Sequence, residues 1–468
     1  MEPRPVILLE FNELSRGLMD RFIKEGKLPS FERLYRESHV FTTESDGDVE
    51  NLEPWIQWIT VHSGIPTKTH KIANLGDGHL LREKSVWDLV SESGKKIWVC
   101  GSMNVQYQVP IRGWVLPDPW TTEVKPHPAD DLLPFFRFVS ANVLDHTRNR
   151  TALPFADRLA FVRFMMRHGL SSETVAAIVT QLISELRHPA RMHWKRAAIL
   201  DKLQFDLFRW VYRRERPAFS TFFSNSTAHF QHLYWRNLEP EAFHVKPTPA
   251  EQAAYEEAIL YGYQQMDDLV RRFLLLAGDA ATLVFCTALS QQPCLIYDDK
   301  GGKRWYRPRD FARLLREVGI APSARVSPVM AHQFQIDFDS EPAAIEGESK
   351  LQALRYVDGR NALMVNRSRD RILSGCRIID DVDRDAVLRL GESGRTIPFF
   401  DLFYQIAGIK SGMHHPDGML WIRTPGRQHR VETAKVPLVS VAPTLLEMLG
   451  LPKPTYMAAE PIRRGFAR

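Results

Sequence analysis

Four short apolar runs constrain the fold of this chain more than any other feature. They are rich in β-branched, aromatic or other apolar side chains, and each is followed by polar or small residues: Val6–Leu9, Ile97–Cys100, Phe219–Phe223 and Thr282–Cys286. Such runs are typical of strands that are buried on both faces of a parallel sheet. Apolar residues recur at helical spacing between the runs, for example in Tyr255–Leu276. The alternation predicts an α/β fold with a wound, mostly parallel central sheet flanked by helices.

The length of the chain leaves room for additions to this core. Its 468 residues are enough for one large domain with insertions or for two domains. The pattern of strands assigns three stretches to the core, namely 1–129, 217–296 and 401–468. Between them we expect a helical cap insertion at 130–216 and a smaller mixed α/β insertion at 297–400.

Charge and cysteine content narrow the class of protein. Lys and Arg number 61 against 56 Asp and Glu, an excess too small to favour nucleic acid binding. The basic residues that cluster between 187 and 216 favour solvated helix faces or, alternatively, a rim that attracts an anionic substrate or a membrane surface. The four cysteines fit neither a zinc knuckle nor a disulfide framework. With no signal peptide or apolar stretch near the roughly 18–20 residues of a spanning helix, we expect a soluble, cytoplasmic protein.

Polar residues follow the strand-like runs, and these positions are the ones that matter for ligand binding. In wound sheets, ligands bind beyond the carboxyl ends of the strands. The residues just after the four runs are Glu10–Glu13, Gly101–Ser102, Ser224–Ser226 and Thr287–Ala288. We therefore expect a site at this edge of the sheet, under the helical insertion.

Five segments, in chain order, resemble the alkaline phosphatase superfamily in its type I phosphodiesterase/nucleotide pyrophosphatase-like branch. They are Val6–Leu14, Pro54–Ile72, Ala228–Arg236, Leu283–Ser290 and Gly412–Leu420, the last continued by Val441–Leu446. The opening Glu-Phe-Asn-Glu and the Pro-Trp-x-x-Trp-x-x-x-His segment also look like a divergent bacterial subgroup, often encoded near genes for polysaccharide metabolism. The resemblance implies the same α/β core and a phosphodiesterase-like or phosphatase-like activity.

The resemblance also implies a pair of zinc ions, whose ligands this chain has mostly lost. His232 and His414 match two of the six ligand positions, and Asn12 stands where a metal-binding Asp is expected. The other three positions hold residues that cannot bind a metal: Ala228, Ala288 and Leu289. Pro54 lies near the position of the Thr or Ser nucleophile and has no hydroxyl. The usual dizinc site is therefore not expected, and we predict a remodelled site.

Two kinds of chemistry are compatible with the polar residues that remain. One divalent ion (zinc, iron or manganese) bound by His232, His414 and a nearby carboxylate would suit those donors. A metal-free acid/base pair, with Glu10 or Glu13 acting with His62 or His232, is equally conceivable. The candidate catalytic residues are Glu10, Asn12, Glu13 and His62, and the candidate substrate-binding residues are Trp55, Trp58, His70, Asn225 and Gln291.

Each candidate also has a structural interpretation. Glu10 and Glu13 can cap the helix that follows, where negative charge meets the positive helix end. A histidine such as His62 can be a hydrogen-bonded core residue, and Trp55 and Trp58 can pack in the core instead of stacking on a sugar or a base.

Two functions follow from these residues. The first is a hydrolase or group transferase that acts on a phosphorylated, sulfated or nucleotide-linked small molecule, in polysaccharide metabolism for example. The alternative is a catalytically inactive relative that keeps the fold and binds an anionic ligand or a protein partner. A fold alone does not decide between them.

Overall fold

The structure is a computed structural model that describes residues 3–47, 52–121, 124–145, 153–187, 192–329, 332–391, 394–406 and 408–462. Its strands in chain order are β1 (Val6–Phe11), β2 (His39–Glu44), β3 (Ile97–Cys100), β4 (Gly113–Leu116), β5 (Phe219–Ser224), β6 (Thr282–Cys286), β7 (Ser290–Pro293), β8 (Tyr306–Pro308), β9 (Arg325–Pro328), β10 (Gln333–Asp337), β11 (Leu354–Tyr356), β12 (Leu363–Ser368), β13 (Arg371–Cys376), β14 (Val387–Leu390), β15 (Arg395–Pro398), β16 (Phe403–Gln405), β17 (Gly412–His415), β18 (Asp417–Arg423), β19 (Arg430–Val431) and β20 (Val436–Pro437).

The helices follow the same order. They are α1 (Arg16–Lys24), α2 (Pro29–Arg36), α3 (Pro54–Ser63), α4 (Thr67–His70), α5 (Val86–Glu92), α6 (Ala129–Asp145), α7 (Phe155–Arg167), α8 (Ser172–Arg187), α9 (Arg196–Glu215), α10 (Ser226–Leu238), α11 (Pro249–Tyr255), α12 (Ala258–Ala277), α13 (Phe311–Val318), α14 (Glu341–Gln352), α15 (Phe399–Leu402) and α16 (Val441–Met448).

The largest sheet of the described chain has the strand order β19-β2-β18-β6-β1-β5-β3-β4, with β20 paired to β2. β1 lies inside the sheet and pairs in parallel with β5 and with β6, so that Glu10 lies opposite Phe223 and Cys286. β18 is antiparallel to both of its neighbours, β2 and β6. The four apolar runs are β1, β3, β5 and β6, and the predicted wound, mostly parallel sheet is confirmed.

Both faces of this sheet are covered by helices, which explains why its strands are mostly apolar. Successive side chains of a strand point to opposite faces. Ile7, Leu9 and Phe11 pack in a cluster with residues of α1, α2, α9 and α12. Val6 and Leu8 pack on the other side, with residues of α3, α5 and α16. Glu10 continues the second series and therefore points into a layer of helices, although it is acidic.

Two stretches of chain are added to this core. α6, α7, α8 and α9 lie between β4 and β5, and the elements from β8 to β16 form small sheets of their own around a separate apolar cluster. The exact domain boundaries given above stay a prediction. Among the described residues, no helix has both the length and the apolar character needed to cross a membrane.

Candidate metal centre

The site begins where β1 ends. The main chain leaves the sheet between its two neighbours, since the Asn12 amide donates to the Ser224 carbonyl (3.0 Å) and the Glu13 amide donates to the Thr287 carbonyl (3.3 Å). Glu13 has a φ of 58°, in the left-handed region that few non-glycine residues adopt. Asn12 and Glu13 are both buried. The sequence therefore places two polar side chains at the carboxyl end of a central strand, as expected for a ligand site.

Two histidines from distant parts of the chain meet the Glu13 carboxylate. His232, on α10, has its Nε2 atom 3.0 Å from Glu13 Oε2, and His414, on β17, has its Nε2 atom 3.3 Å from the same oxygen. Within the described part of the chain, these three residues form a cluster that could hold a metal ion, with their ligand atoms all within 4.8 Å of one another. The two histidines of the sequence motifs thus converge, and the structure identifies Glu13 as their carboxylate.

Further contacts hold the three ligands in place. The Nδ1 atom of His232 donates to the Gly412 carbonyl at 2.9 Å, and the amide of Gln291 donates to Glu13 Oε2 at 2.6 Å. The Nδ1 atom of His414 lies 3.6 Å from the carboxylate of Glu53. Metal-binding histidines usually interact in this way through their second nitrogen, with a carbonyl or a carboxylate.

The hydrogen bond made by Nδ1 of His232 determines which ring nitrogen carries a proton. A carbonyl can only accept a hydrogen bond, so Nδ1 of His232 carries a proton. In a neutral ring, the lone pair of Nε2 then points at a carboxylate oxygen 3.0 Å away. Two lone pairs at this distance repel each other unless a cation lies between them. Either a proton or a metal ion must therefore bridge Nε2 and Glu13.

Burial and charge act in opposite directions on these groups. Burial opposes the charged form of Glu13, but the positive charges of His414 and His232 hold the pKa of its carboxyl well below the usual value. Burial lowers the pKa of His232 in spite of Glu13. The pKa of His414 is raised, because attraction to Glu13 outweighs the burial of the ring. The Glu13 carboxyl group is thus kept ionised, which a metal ligand requires.

The donor set fits one divalent ion. Two imidazole nitrogens and one carboxylate oxygen are common zinc ligands, and donors about 2.1 Å from a tetrahedral ion lie roughly 3.4 Å apart. The separations of 3.0 and 3.3 Å between Glu13 and the two histidines are close to this value.

Asn12 is engaged by protein groups instead. Its amide donates to Glu13 Oε1 (2.6 Å) and to the side-chain oxygen of Asn225 (2.7 Å). Its own oxygen accepts from the indole of Trp58 at 2.8 Å. Ala228, Ala288 and Leu289 are buried at the other replaced positions. The side chains where a second ion would bind are therefore apolar or hydrogen-bonded to one another.

Glu10 and His62 form a separate pair. Nε2 of His62 lies 2.8 Å from Glu10 Oε1, and the side chains are 3% and 0% exposed respectively. The ring of His62 packs against the indoles of Trp58 and Trp87. Glu10 is therefore not part of the cluster formed by Glu13, His232 and His414, since it ends among core aromatic rings. A catalytic role for Glu10 and His62 stays a prediction. The surroundings of His62 are those of a hydrogen-bonded core histidine.

The residues predicted to bind substrate divide into two groups. Asn225 and Gln291 lie beside the cluster and contact Asn12 and Glu13, as described above. Trp58 is fully buried, so it orients Asn12 and offers no surface for stacking on a substrate.

Trp55 and His70 have local structural partners. Trp55 donates from its indole to the Ala73 carbonyl at 2.9 Å. Nδ1 of His70 accepts from the Ile72 amide at 3.0 Å, and burial lowers the pKa of this histidine to about 4. Both side chains are half-buried, and their predicted role in substrate binding is not supported by a contact with the cluster.

Three charged residues near the cluster were missed by the sequence analysis. Glu53 lies next to His414, Lys410 directly precedes Ser411, whose amide donates to the His232 carbonyl, and Lys303 pairs with Lys410 in an isolated bridge. Glu53 directly precedes Pro54, the residue aligned with the nucleophile, so its place in the sequence could have identified it as a site residue. Lys410 lies four residues before His414, and an alternating pattern places both on one face of an extended segment.

Gly412 gives the first prediction about this centre. A Cβ atom at this position would lie 2.4 Å from the Gln231 carbonyl and 2.5 Å from the side-chain oxygen of Gln291, so β17 would have to move. We expect Gly412→Ala to cost about 1–3 kcal/mol of stability and to weaken metal binding about 10–100-fold, because it displaces His414 and a carbonyl that orients His232. Urea unfolding and metal titration measure the two effects. Gly17→Ala, where the added atom has space, is the control, and unchanged metal affinity in Gly412→Ala would contradict the prediction.

No protein-family model matches this chain, and no curated protein does so. Solved structures do match over nearly its whole length. A phosphonoacetate hydrolase from Sinorhizobium meliloti 1021 in complex with phosphonoformate has 11% identity and a TM-score of 0.42, with 96% of each chain covered. The wild-type alkaline phosphatase PafA has 12% identity and a TM-score of 0.47, with 100% of each chain covered.

A murine ectonucleotide pyrophosphatase/phosphodiesterase 5, in an inactive form in complex with AMP, is a third match. It has 9% identity and a TM-score of 0.39, and 96% of each chain is covered. These three proteins are members of the alkaline phosphatase superfamily, which is the family that the five sequence segments of this chain resemble.

Proposed function

We propose that the protein is a metal-dependent hydrolase that transfers a phosphoryl group to water, with one divalent ion held by Glu13, His232 and His414. The observation that carries this proposal is the contact between His232 Nε2 and Glu13 Oε2, because a proton or a metal ion must lie between these two atoms and the nearby His414 supplies a third donor. A divalent ion bound at this position supplies Lewis-acid polarisation of a phosphoryl oxygen and lowers the pKa of bound water.

The residues around the centre define the reaction further. Pro54 has no hydroxyl, so the family's covalent step has no nucleophile at this position, and water attacks phosphorus directly. Glu53, next to Pro54 and beside His414, is placed to accept the proton of that water. A bond forms from the water oxygen to phosphorus, the bond from phosphorus to the ester oxygen breaks, and the departing oxygen takes a proton from solvent.

The substrate belongs to the phosphorylated, sulfated or nucleotide-linked small molecules expected from the sequence, with phosphate esters first. The Lewis-acid role suits any of these anions. Sugar phosphates of polysaccharide metabolism are candidates, and a sugar hydroxyl in place of water would make the same centre a group transferase.

Metal analysis and turnover test this proposal together. We expect about one zinc, iron or manganese ion per native chain, and hydrolysis of p-nitrophenyl phosphate or its bis ester. His232→Ala and His414→Ala should lose the ion and at least about 100-fold in kcat/KM, since three ligands leave no spare donor. His229→Ala, an exposed histidine on the same helix, is the matched control and should retain both.

A second function is favoured by specific residues. Ala228, Ala288, Leu289 and Pro54 remove three metal ligands and the nucleophile, a pattern typical of inactive relatives. In that case the protein would bind an anionic ligand or a protein partner without turnover. Native protein that holds no metal and hydrolyses neither ester would contradict the hydrolase and support this alternative.

A further inference from the structure

Two lysines lie opposite each other at the base of the second inserted stretch. Lys303 and Lys410 form an isolated antiparallel bridge, in which the Lys410 amide donates to the Lys303 carbonyl at 3.0 Å. Residues directly opposite in an antiparallel pair have Cβ atoms about 4.5–5.5 Å apart, on the same face. The two ammonium groups are therefore carried side by side by main chain that is hydrogen-bonded together.

This pair has no counter-ion in the described part of the chain. No carboxylate of that part forms an ion pair with Lys303 or Lys410, although both side chains are half-buried. Burial lowers the pKa of Lys303, and the charge of Lys410 lowers it further. Like charges directly opposite each other destabilise a strand pair. The fold therefore carries an electrostatic cost at this point that a bound anion would relieve.

The lysine pair lies beside the candidate metal centre. Lys410 directly precedes Ser411, whose amide donates to the carbonyl of His232 at 2.8 Å, so the main chain that carries this lysine runs along the cluster. The negative charge of Glu53, whose carboxylate lies 3.6 Å from His414, raises the pKa of Lys303. The ammonium group of Lys410 lies over the ring of Trp305, with the lysine nitrogen 5.4 Å from the ring centroid.

We propose that Lys303 and Lys410 bind the non-reacting oxygens of a phosphoryl group at the Glu13–His232–His414 centre and select phosphate monoesters over diesters. This inference rests on the proposed function and names its substrate class. The two carboxylates Glu13 and Glu53 balance the charge of a divalent ion, so the two lysines leave the site with two net positive charges. A monoester carries about −1.5 to −2 at pH 7 and neutralises them, whereas a diester has one ionisable oxygen fewer.

Binding of inorganic phosphate tests the inference independently of turnover. We expect calorimetric titration of the full-length, metal-loaded protein to show phosphate binding, weakened about tenfold or more in Lys303→Met and in Lys410→Met, because each loses one charged hydrogen bond. Methionine keeps most of the length of the side chain and removes its charge. Lys300→Met, an exposed lysine nearby, is the control and should bind phosphate as the native protein does. Equal affinity in all four proteins would overturn the inference.

The ratio of kcat/KM for p-nitrophenyl phosphate and its bis ester gives the second readout. Each lysine variant should lose about 10–100-fold on the monoester and clearly less on the diester. Equal losses on both esters would show that the lysines do not select, while the hydrolase proposal would stand. Phosphate binding that depends on the lysines in a protein without turnover would overturn the hydrolase proposal and leave the anion site in place.

Discussion

Replacing His62 with leucine is expected to lower the free energy of unfolding by about 1–3 kcal/mol, because the change leaves a buried carboxyl group without its hydrogen-bond partner. Glu10 is fully buried, and its second carboxyl oxygen has no hydrogen-bond partner among the described residues. His62 therefore provides the one side-chain contact that the structure shows for this carboxyl group. Leucine fills the space between Trp58 and Trp87 but leaves Glu10 in an apolar layer. Urea unfolding followed by tryptophan fluorescence measures the loss.

A double variant separates the charge from the packing. Glu10→Gln combined with His62→Leu has no carboxylate left in the core, so it should be more stable than His62→Leu alone. A loss below about 1 kcal/mol in His62→Leu, a value typical of ordinary substitutions, would contradict the prediction. It would mean that Glu10 finds another partner or a route to water.

Saturation with the bound ion is expected to stabilise the native protein by about 2.7 kcal/mol at a free metal concentration one hundred times the dissociation constant. The reason is mass action, because the cluster of Glu13, His232 and His414 exists only in the folded chain. A chelator should remove this stabilisation, and metal should restore it. The measurement is a series of urea unfolding curves at increasing zinc or manganese concentration.

Variants show whether the stabilisation comes from this cluster. His232→Ala should show no increase in unfolding free energy with metal, whereas His229→Ala should behave as the native protein. An undiminished metal effect in His232→Ala would place the ion elsewhere in the chain and contradict the assignment of the centre.

The central sheet could be predicted because the apolar composition of its strands reflects their burial on both faces. β1, β3, β5 and β6 are covered on both faces, so each is a mostly apolar segment, and the polar residues after each segment lie at the ligand edge. The small sheets of the second insertion have weaker patterns, and their pairings, such as β11 with β14, follow from contacts that no short window of sequence contains.

The site was predictable in its residue types and less so in its pairings. His232 and His414 were identified because they occupy ligand positions of a known motif. The choice between Glu10 and Glu13 as their carboxylate depends on a single φ angle, which turns Glu13 out of the strand while Glu10 stays in register. Lys303 and Lys410 are brought together by one bridge between distant segments. The local sequence around either lysine does not predict that the other lies opposite it.

The backbone adopts the same left-handed conformation at one residue after β1 and at one residue after β6. Ala288 has the same φ of 58° as Glu13, in a region that costs an ordinary residue about 1–2 kcal/mol. At Glu13 the strained conformation directs a carboxylate toward the two histidines. At Ala288 the same conformation directs only a methyl group. The main chain after β6 thus has the same local shape as the main chain that presents Glu13, but it carries no side chain that could bind a ligand.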